Sequence, residues 1–198
     1  MKKMTVKVTF LEELLGTSAA DPEIHARFIA EKAPDARSME EEVEAVGAVE
    51  VFERAITVFP RVDGRPAVWD YQWKGFLKDA VGMLRKVPGS ESGKVKAYKK
   101  EIDGLIFVKP RAIPITFDGE VGLCQRPLRA QTALGERVAL ATSESIPAGA
   151  TMTFTWVIMC EQHEKLVREA LDYGVLRGFG GWRNSGKGRF AWEEIPEE

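Results

Sequence analysis

The segment richest in potential chemistry lies near the end of the chain. Arg177 to Phe190 reads RGFGGWRNSGKGRF and combines five glycines with four basic residues and a tryptophan. Glycine adopts conformations with positive φ and lets another backbone approach closely, while exposed amides and basic side chains bind phosphates. We predict a loop that packs against a phosphodiester backbone. A tight connection that needs glycine only in order to turn is the alternative, and both can hold together.

Part of this loop matches the first seven positions of a nucleotide-binding motif, because Gly181 to Lys187 has the pattern G-x-x-x-x-G-K. Such a motif requires Ser or Thr next, to hold magnesium, and it follows a strand and opens a helix. Here the next residue is Gly188, and the predicted order is helix, loop, strand. The pattern therefore does not indicate an NTPase.

Few other side chains offer catalytic groups. The imidazoles of His25 and His163 suit acid–base chemistry near neutral pH, but HEKLV at His163 is not the H-E-x-x-H of metalloproteases. We expect both histidines to be ordinary surface residues. Metal-assisted cleavage through aspartates stays open, although nothing pairs Asp63, Asp70 or Asp79 convincingly. We assign no catalytic residue.

The cysteines do not indicate a metal centre either. Cys124 and Cys160 lie far apart, and neither has a second cysteine or a histidine at zinc-finger spacing. We expect no disulfide framework, no metal and no cofactor.

The formal net charge of −2 hides two opposed regions. Glu12 to Glu50 carries eleven acidic residues against three basic ones, whereas Arg54 to Arg137 carries sixteen basic against nine acidic. Lys165 to Arg189 adds six basic residues against two acidic. Such asymmetry indicates a polyanion-binding surface beside an acidic region, or else the solvated faces of ordinary helices.

Composition places the chain among globular proteins. It has 198 residues, of which 44% are hydrophobic and 29% charged, which excludes a mainly disordered or fibrous chain and predicts one domain over 1–198. No run approaches the roughly 20 apolar residues of a membrane span. The start, MKKMTVKVTF, alternates polar and apolar residues instead of forming a signal peptide. We expect a cytoplasmic protein without a membrane partner.

The elements that must position these residues follow from periodicity. Thr5 to Phe10 alternates as a half-buried strand does, and residues 11–60 form a mostly helical acidic insertion. Trp73 to Val87 predicts an amphipathic helix with a basic exposed side that includes Lys74, Lys78 and Arg85. A lysine-rich loop, SGKVKAYKK, follows it.

The second half of the chain predicts further strands. LIFV and IPITF have the composition of paired strands, and 122–142, with Arg126 and Arg129, indicates a long loop or irregular hairpin. TMTFTWVIM predicts a strong strand, HEKLVREALDYG a helix, and GRFAWEEI a final strand. Without the insertions, the order is strand, helix, two strands, helix, strand. This order predicts an α+β fold of the ferredoxin-like or RNA-recognition (βαββαβ) type, with a glycine-rich loop before the last strand.

A glycine-rich loop between the second helix and the last strand of such a fold resembles the RAMP superfamily, the repeat-associated RNA-binding proteins of CRISPR complexes. LRGFGGWRNSGKGRF carries the match, and WDYQWKGFLKDAVGMLR is similar to the family's motif near the first helix. Lys74-Gly75 and Arg85 occupy the family's places there, but Tyr71-Gln72-Trp73 replaces the usual Gly-Ser. The chain also resembles small prophage proteins.

The resemblance implies a non-catalytic protein that binds single-stranded RNA, with a size typical of a backbone subunit. Trp69, Tyr71, Trp73 or Trp182 are then candidates for stacking on bases. The residues assigned to RNA binding are Lys74, Lys78, Arg85, Arg126, Arg129, Arg177, Gly178, Gly180, Gly181, Trp182, Arg183, Asn184, Ser185, Gly186, Lys187, Gly188 and Arg189.

The expected partners are single-stranded RNA and either copies of the chain or other subunits of a ribonucleoprotein complex. The acidic stretch from Glu12 to Glu50 would meet a basic surface of the next copy in a head-to-tail contact. Two other functions stay open: a prophage-encoded module that binds host proteins, and an RNA-cutting enzyme that needs no metal.

Overall fold

The computed structural model describes residues 1–20, 56–132 and 135–196. The strands are β1 (Lys2–Phe10), β2 (Leu14–Leu15), β3 (Ser18–Ala19), β4 (Thr57–Val58), β5 (Arg61–Val62), β6 (Arg65–Trp69), β7 (Ile106–Lys109), β8 (Ala112–Pro114), β9 (Gly122–Thr132), β10 (Gly135–Ile146), β11 (Thr151–Ile158) and β12 (Phe190–Ile195). The helices are α1 (Asp70–Leu84), α2 (Tyr98–Leu105), α3 (Gln162–Asp172) and α4 (Gly174–Arg177), with 3₁₀ turns at Ser92–Lys94 and Arg183–Ser185. The α+β class predicted from the sequence is confirmed.

The chain divides into two compact units. The first unit comprises Met1–Leu15, Pro60–Glu120 and Ile146–Glu198, and the second comprises Gly16–Phe59 and Val121–Ser145. The glycine-rich loop, α1 and α3 all belong to the first unit.

A four-stranded sheet in the order β12-β1-β11-β7 organises the first unit, and all neighbouring strands are antiparallel. In β1 the apolar side chains of Met4, Val6, Val8 and Phe10 are buried on one face, as the alternation predicts. Thr5 lies on the opposite face, where its hydroxyl oxygen is 2.9 Å from that of Thr155 in β11. One face of the sheet therefore packs against helices, and the other is polar.

Helix α1 forms because apolar residues recur at helical spacing along one side of it. Trp73, Phe76, Leu77, Ala80 and Val81 are buried. Its first turn is capped by the side chain of Gln72, whose Oε1 accepts a hydrogen bond from the backbone N–H of Trp69 at 2.7 Å. This helix carries both the basic residues of the candidate site and the centre of the aromatic core.

The aromatic core joins α1, the sheet and the glycine-rich loop. The Trp73 ring stacks on the ring of Phe179 with centroids 4.3 Å apart, and it lies 4.5 Å from Phe154 and 5.4 Å from Phe190. The loop is thus fixed to the core by Phe179, a residue within the glycine-rich segment itself.

Several connections differ from the prediction. The two runs predicted as paired strands do not pair with each other: β7 pairs with β11, and β8 pairs with β6. Of the two alternatives predicted for 122–142, the long loop is wrong, because β9 and β10 pair as an antiparallel hairpin in continuous register over its described residues. Part of the lysine-rich loop SGKVKAYKK is helical, since α2 begins at Tyr98.

The second unit contains this hairpin, with β4 parallel to β10 and β3 antiparallel to β4. A 2.7 Å contact between the hydroxyl oxygens of Thr57 and Ser143 marks the point where β4 joins β10. The predicted helices of the 11–60 insertion fall on residues 21–55, outside the described residues. The described ends of the insertion contain the short strands β2, β3 and β4. Within the described part of the chain, no helix is long and apolar enough to cross a membrane.

Candidate nucleic-acid interface

Two arginines of the glycine-rich loop bind one carboxylate on α1. Arg177 donates to Asp79 through Nε (2.9 Å to Oδ2) and Nη2 (3.3 Å to Oδ1), and Arg183 Nη1 donates to Oδ2 at 2.7 Å. Burial raises the pKa of Asp79, but hydrogen bonds and charges of the two arginines outweigh it and hold that pKa below its usual value. Both arginine side chains are about a quarter exposed. They therefore hold the loop on α1 instead of projecting freely into solvent.

Two of the loop's glycines are required where the two arms of the loop meet. The N–H of Phe179 donates to the carbonyl of Gly188 at 2.8 Å. A Cβ on Gly188 would lie 1.9 Å from the carbonyl oxygen of Phe179, and one on Gly178 would lie 2.5 Å from that of Lys187. Both have positive φ, of 69° and 73°. These two glycines are therefore needed for the chain to turn and for the two arms to approach closely, whatever the loop binds.

The tip of the loop is its exposed part. Asn184, Ser185 and Arg189 are exposed, Trp182 is 37% exposed and adopts a left-handed φ of 53°, and Gly180, Gly181 and Gly186 are half-buried. Lys187 is held differently, since its Nζ lies 2.7 Å from Oε2 of Glu13. The loop offers an exposed ring and an exposed guanidinium on a backbone anchored at both ends.

A groove of about 750 Å³ runs along the N-terminal half of α1 in the first unit. One wall is α1, where Tyr71, Lys74, Gly75 and Lys78 line it, and the opposite wall runs from Asp103 to Arg111. Positions 71, 74, 75 and 78 share one side of the helix because they are three or four residues apart. A Cβ on Gly75 would meet nothing within 4 Å, so this residue leaves the groove open.

The lysines of the groove gather around one acidic residue. Lys74 Nζ donates to the backbone carbonyl of Asp103 at 3.0 Å and lies 4.9 Å from the centre of the Phe107 ring. Lys78 Nζ is 2.5 Å from Oδ1 of Asp103. Burial lowers the pKa of Lys74, and the neighbouring ammonium of Lys78 lowers it further, while Asp103 opposes both. This end of the groove combines two cations, one carboxylate and an aromatic ring that is 40% exposed.

The other end of the groove also places a cation and a carboxylate beside aromatic rings. Arg111 Nη1 donates to Oδ1 of Asp70 at 2.6 Å, yet the arginine side chain is 70% exposed. Its guanidinium lies 5.7 Å from the centre of the Tyr71 ring and 5.9 Å from that of Trp69. Tyr71 itself is 41% exposed. Exposed rings next to cations are the combination that proteins use to bind single-stranded nucleic acid.

The remaining predicted residues lie outside this groove. Arg85 is exposed at the C-terminal end of α1, with its guanidinium 5.2 Å from the centre of the Tyr98 ring. Arg126 and Arg129 belong to β9 in the second unit, where Nη1 of Arg126 donates to Ser143 at 3.0 Å. Two groups of predicted site residues thus meet on α1: Lys74 and Lys78 at the groove, and the loop arginines Arg177 and Arg183 at Asp79.

Two predictions need correction: that Trp73 is a candidate for stacking on bases, and that His163 is a surface residue. Trp73 is fully buried, so it is a core residue and does not stack on bases. His163 is not a surface residue: it is 1% exposed, and its Nε2 lies 2.9 Å from Oε2 of Glu101. His163 lies on the same side of α3 as Leu166, Val167 and Ala170, and it is buried with that apolar face. His25 lies outside the described residues.

Sequence reasoning missed one wall of the groove. Phe107, Lys109 and Arg111 are exposed and line it. The available signal was the segment Lys109-Pro110-Arg111, which interrupts two β-type runs and carries two basic residues. Its position opposite α1 depends on how the strands pair, which the segment itself does not encode.

No family model matches the sequence, and no curated protein does. Among solved structures, a chain of the Type III-B Cmr-beta complex bound to cognate target RNA is similar, with 12% identity and a TM-score of 0.53. The similarity covers 100% of this chain and 60% of that one, so this chain spans less than two thirds of its length. A chain of a Type IV-B CRISPR complex is 12% identical over 98% of this chain and 90% of its own length, with a TM-score of 0.48. The chain shares its fold with a subunit of the Cmr-beta complex.

Proposed function

We propose that this protein is a non-catalytic RNA-binding protein of RAMP type that binds single-stranded RNA as a subunit of a CRISPR-like ribonucleoprotein complex. The observation that carries the proposal is the groove beside α1, where Lys74, Lys78 and Arg111 lie next to the exposed rings of Tyr71 and Phe107. Cations bind the phosphates of single strands, and exposed rings stack on their unpaired bases.

The fold supports the same proposal. The four strands of the sheet β12-β1-β11-β7 follow one another along the chain as β1, β7, β11 and β12. Helix α1 lies between β1 and β7 in the sequence, and α3 lies between β11 and β12. We propose on this basis that the chain has a ferredoxin-like fold, since such folds have this βαββαβ order. The Cmr-beta complex whose subunit shares the fold is bound to target RNA.

The glycine-rich loop has a second role in the proposal. Its exposed tip, with Trp182 and Arg189, contacts the RNA, while the Asp79 and Glu13 ion pairs hold the loop in shape. Preorganisation of this kind lowers the entropic cost of binding. Arg177, Arg183 and Lys187 then contribute mainly by positioning the loop.

Salt dependence tests the proposal. The affinity for a fluorescein-labelled RNA of nine uridines is measured by anisotropy at several salt concentrations. The logarithm of the affinity should fall linearly with the logarithm of the salt concentration. Lys109 and Arg111 are exposed and line the groove. The double variant Lys109→Ala, Arg111→Ala should bind more weakly, with a slope shallower by about 1.4, since each phosphate contact on a single strand contributes about 0.7.

A matched control removes the same charge elsewhere. Lys96 and Lys165 are exposed and do not line the groove, so Lys96→Ala with Lys165→Ala should leave the slope within about 0.5 of the wild type. If the wild type shows no binding at low salt, the proposed function is wrong. If both double variants lose affinity equally, RNA binds the protein but not at this groove.

Assembly is part of the proposal. Head-to-tail contact through the acidic 12–50 stretch would give concentration-dependent species larger than a 22.0 kDa monomer. Sedimentation velocity with and without RNA measures this directly. A monomer under both conditions, up to about 100 μM, would leave RNA binding in place and remove self-assembly.

A further inference from the structure

We propose that the groove beside α1 binds a guanine base. The inference rests on the proposed function and deepens it, since it names the base that the groove would select from a single strand. Its starting point is a feature that phosphate binding alone does not explain: two carboxylates, Asp70 and Asp103, line the groove together with the cations.

The carboxylates indicate which part of a nucleotide enters. Asp103 is 56% exposed and lies within the lysine cluster, where it would repel a phosphate that approaches Lys78. A base carries no net charge, and its N–H groups can donate hydrogen bonds to a carboxylate. A groove that alternates ammonium and carboxylate groups therefore suits the edge of a base better than the backbone.

The size and the rings of the groove fit this assignment. Its volume of about 750 Å³ lies within the range of small-ligand sites. Tyr71 and Phe107 stand on its opposite walls, each about 40% exposed. Stacking of a base on such a ring contributes about 1–3 kcal/mol and does not distinguish one base from another. Selectivity must therefore come from the polar groups.

The polar groups match guanine. Lys78 Nζ and Asp103 Oδ1 are 2.5 Å apart, so a donor and an acceptor stand side by side. The Watson–Crick edge of guanine presents the acceptor O6 beside two donors, N1–H and N2–H. The carboxylate can accept from both donors while an ammonium donates to O6. Uracil has a single donor between two acceptors, and adenine and cytosine each have one amino group beside an acceptor, so none of them offers the carboxylate two adjacent donors.

Three labelled RNAs test the inference: nine uridines, and the same strand with guanosine or adenosine at its centre. Anisotropy at fixed salt should give about tenfold tighter binding for the guanosine strand, within the range for one bidentate base contact. Asp103→Asn should reduce this preference to less than about threefold, because an amide accepts more weakly and places its own donor against the base. Its binding to the uridine strand should stay equal or become stronger, since a negative charge is removed.

The control is Asp118→Asn, which makes the same change at an exposed position outside the groove and should keep the tenfold preference. Circular dichroism melts establish that both variants are folded. Calorimetric titration with guanosine monophosphate, and with uridine monophosphate as the comparison, shows directly whether a free nucleotide also binds.

The outcomes separate the two proposals. Equal, salt-dependent binding of all three strands would overturn the guanine site and leave RNA binding intact. A guanosine preference that survives Asp103→Asn would also overturn it. Direct binding of guanosine monophosphate that Asp103→Asn abolishes, without binding of any strand, would support the guanine site and overturn the proposed RNA function.

Discussion

Arg177 binds Asp79 with a two-point contact, Nε to Oδ2 at 2.9 Å and Nη2 to Oδ1 at 3.3 Å, across 98 positions of sequence. The contact fastens the start of the glycine-rich loop to the middle of α1. Because Arg183 binds the same carboxylate, one aspartate organises two of the four basic residues of the loop. Asp79 therefore governs the shape of a loop to which it does not belong.

Asp79→Asn should lower the free energy of unfolding by about 1–2 kcal/mol at pH 7, because it weakens charge-assisted hydrogen bonds that are partly exposed to solvent. Urea denaturation measures this change. Asp118→Asn, at an exposed site, is the control and should change stability by less than about 0.5 kcal/mol.

The same pair predicts a pH dependence. The pKa of Asp79 is lower in the folded protein than its ordinary value, so its contribution is complete above that ordinary value and is lost as pH falls through the folded pKa. The stability difference between the wild type and Asp79→Asn should thus be constant from pH 7 to about 5 and shrink as pH falls below the ordinary aspartate pKa of about 3.9. A difference that does not shrink between pH 4 and pH 2 would mean that the ion pair is not its cause.

Gly188→Ala should be among the most damaging substitutions in the loop. The new Cβ would lie 1.9 Å from the carbonyl oxygen of Phe179, at a φ of 69°. Gly89 has a similar φ of 81° but open space around it. Thermal and urea denaturation should give a loss of about 1 kcal/mol for Gly89→Ala, from backbone strain alone, and at least about 2 kcal/mol more for Gly188→Ala. Equal losses would show that the loop yields to the clash.

Substitution of Trp73 in α1 should mainly reduce stability, whereas substitution of Trp182 in the loop should mainly reduce RNA binding. Trp73 is fully buried against Phe179 and Phe154, and Trp73→Ala should cost about 3–5 kcal/mol of stability. Trp182→Ala, at a ring 37% exposed, should cost less than about 1 kcal/mol but weaken RNA binding by at least threefold. A Trp182→Ala protein that is stable and binds RNA as the wild type does would exclude this ring from the interface.

Lys74→Met should separate binding from stability. Burial, and repulsion by Lys78, lower the pKa of Lys74, so the folded protein disfavours its charge and the apolar substitute should be neutral or stabilising at pH 7. The advantage should shrink as pH rises toward the ordinary lysine pKa of about 10.4, where the wild type also loses the charge. RNA affinity should fall at the same time. A clear loss of stability at pH 7 would show that the hydrogen bond to Asp103 outweighs burial of the charge.

Some elements were predictable because their periodicity fixes which face is buried, whatever covers it. The alternation in β1 placed Val6 and Val8 inside, and the helical spacing of Phe76 and Leu77 placed the apolar side of α1 inside. Both predictions were local and both are confirmed.

Strand partners were not predictable in this way. The sequence of a four-residue strand such as β7 indicates which of its faces is buried but not which strand it pairs with. Its pairing with β11 was therefore missed. The regular antiparallel pairing of β9 with β10 was not predicted, because Pro127 and the arginines of β9 are atypical of a strand. A strand paired on one side tolerates a residue without an N–H, and the side chains of its open face need not be apolar.

The candidate site divides along the same line. The sequence by itself determined which residues are basic, that Lys74 and Lys78 share a side of α1, and that the chain turns on glycines before β12, because these depend on residue type and helical spacing alone. Only the tertiary structure decided that Asp79 takes up two loop arginines, that Trp73 is core, and that Arg111 and Phe107 face Tyr71 and the lysines across a groove. Those relationships join positions tens of residues apart, and they exist only once the sheet has fixed the order of its strands.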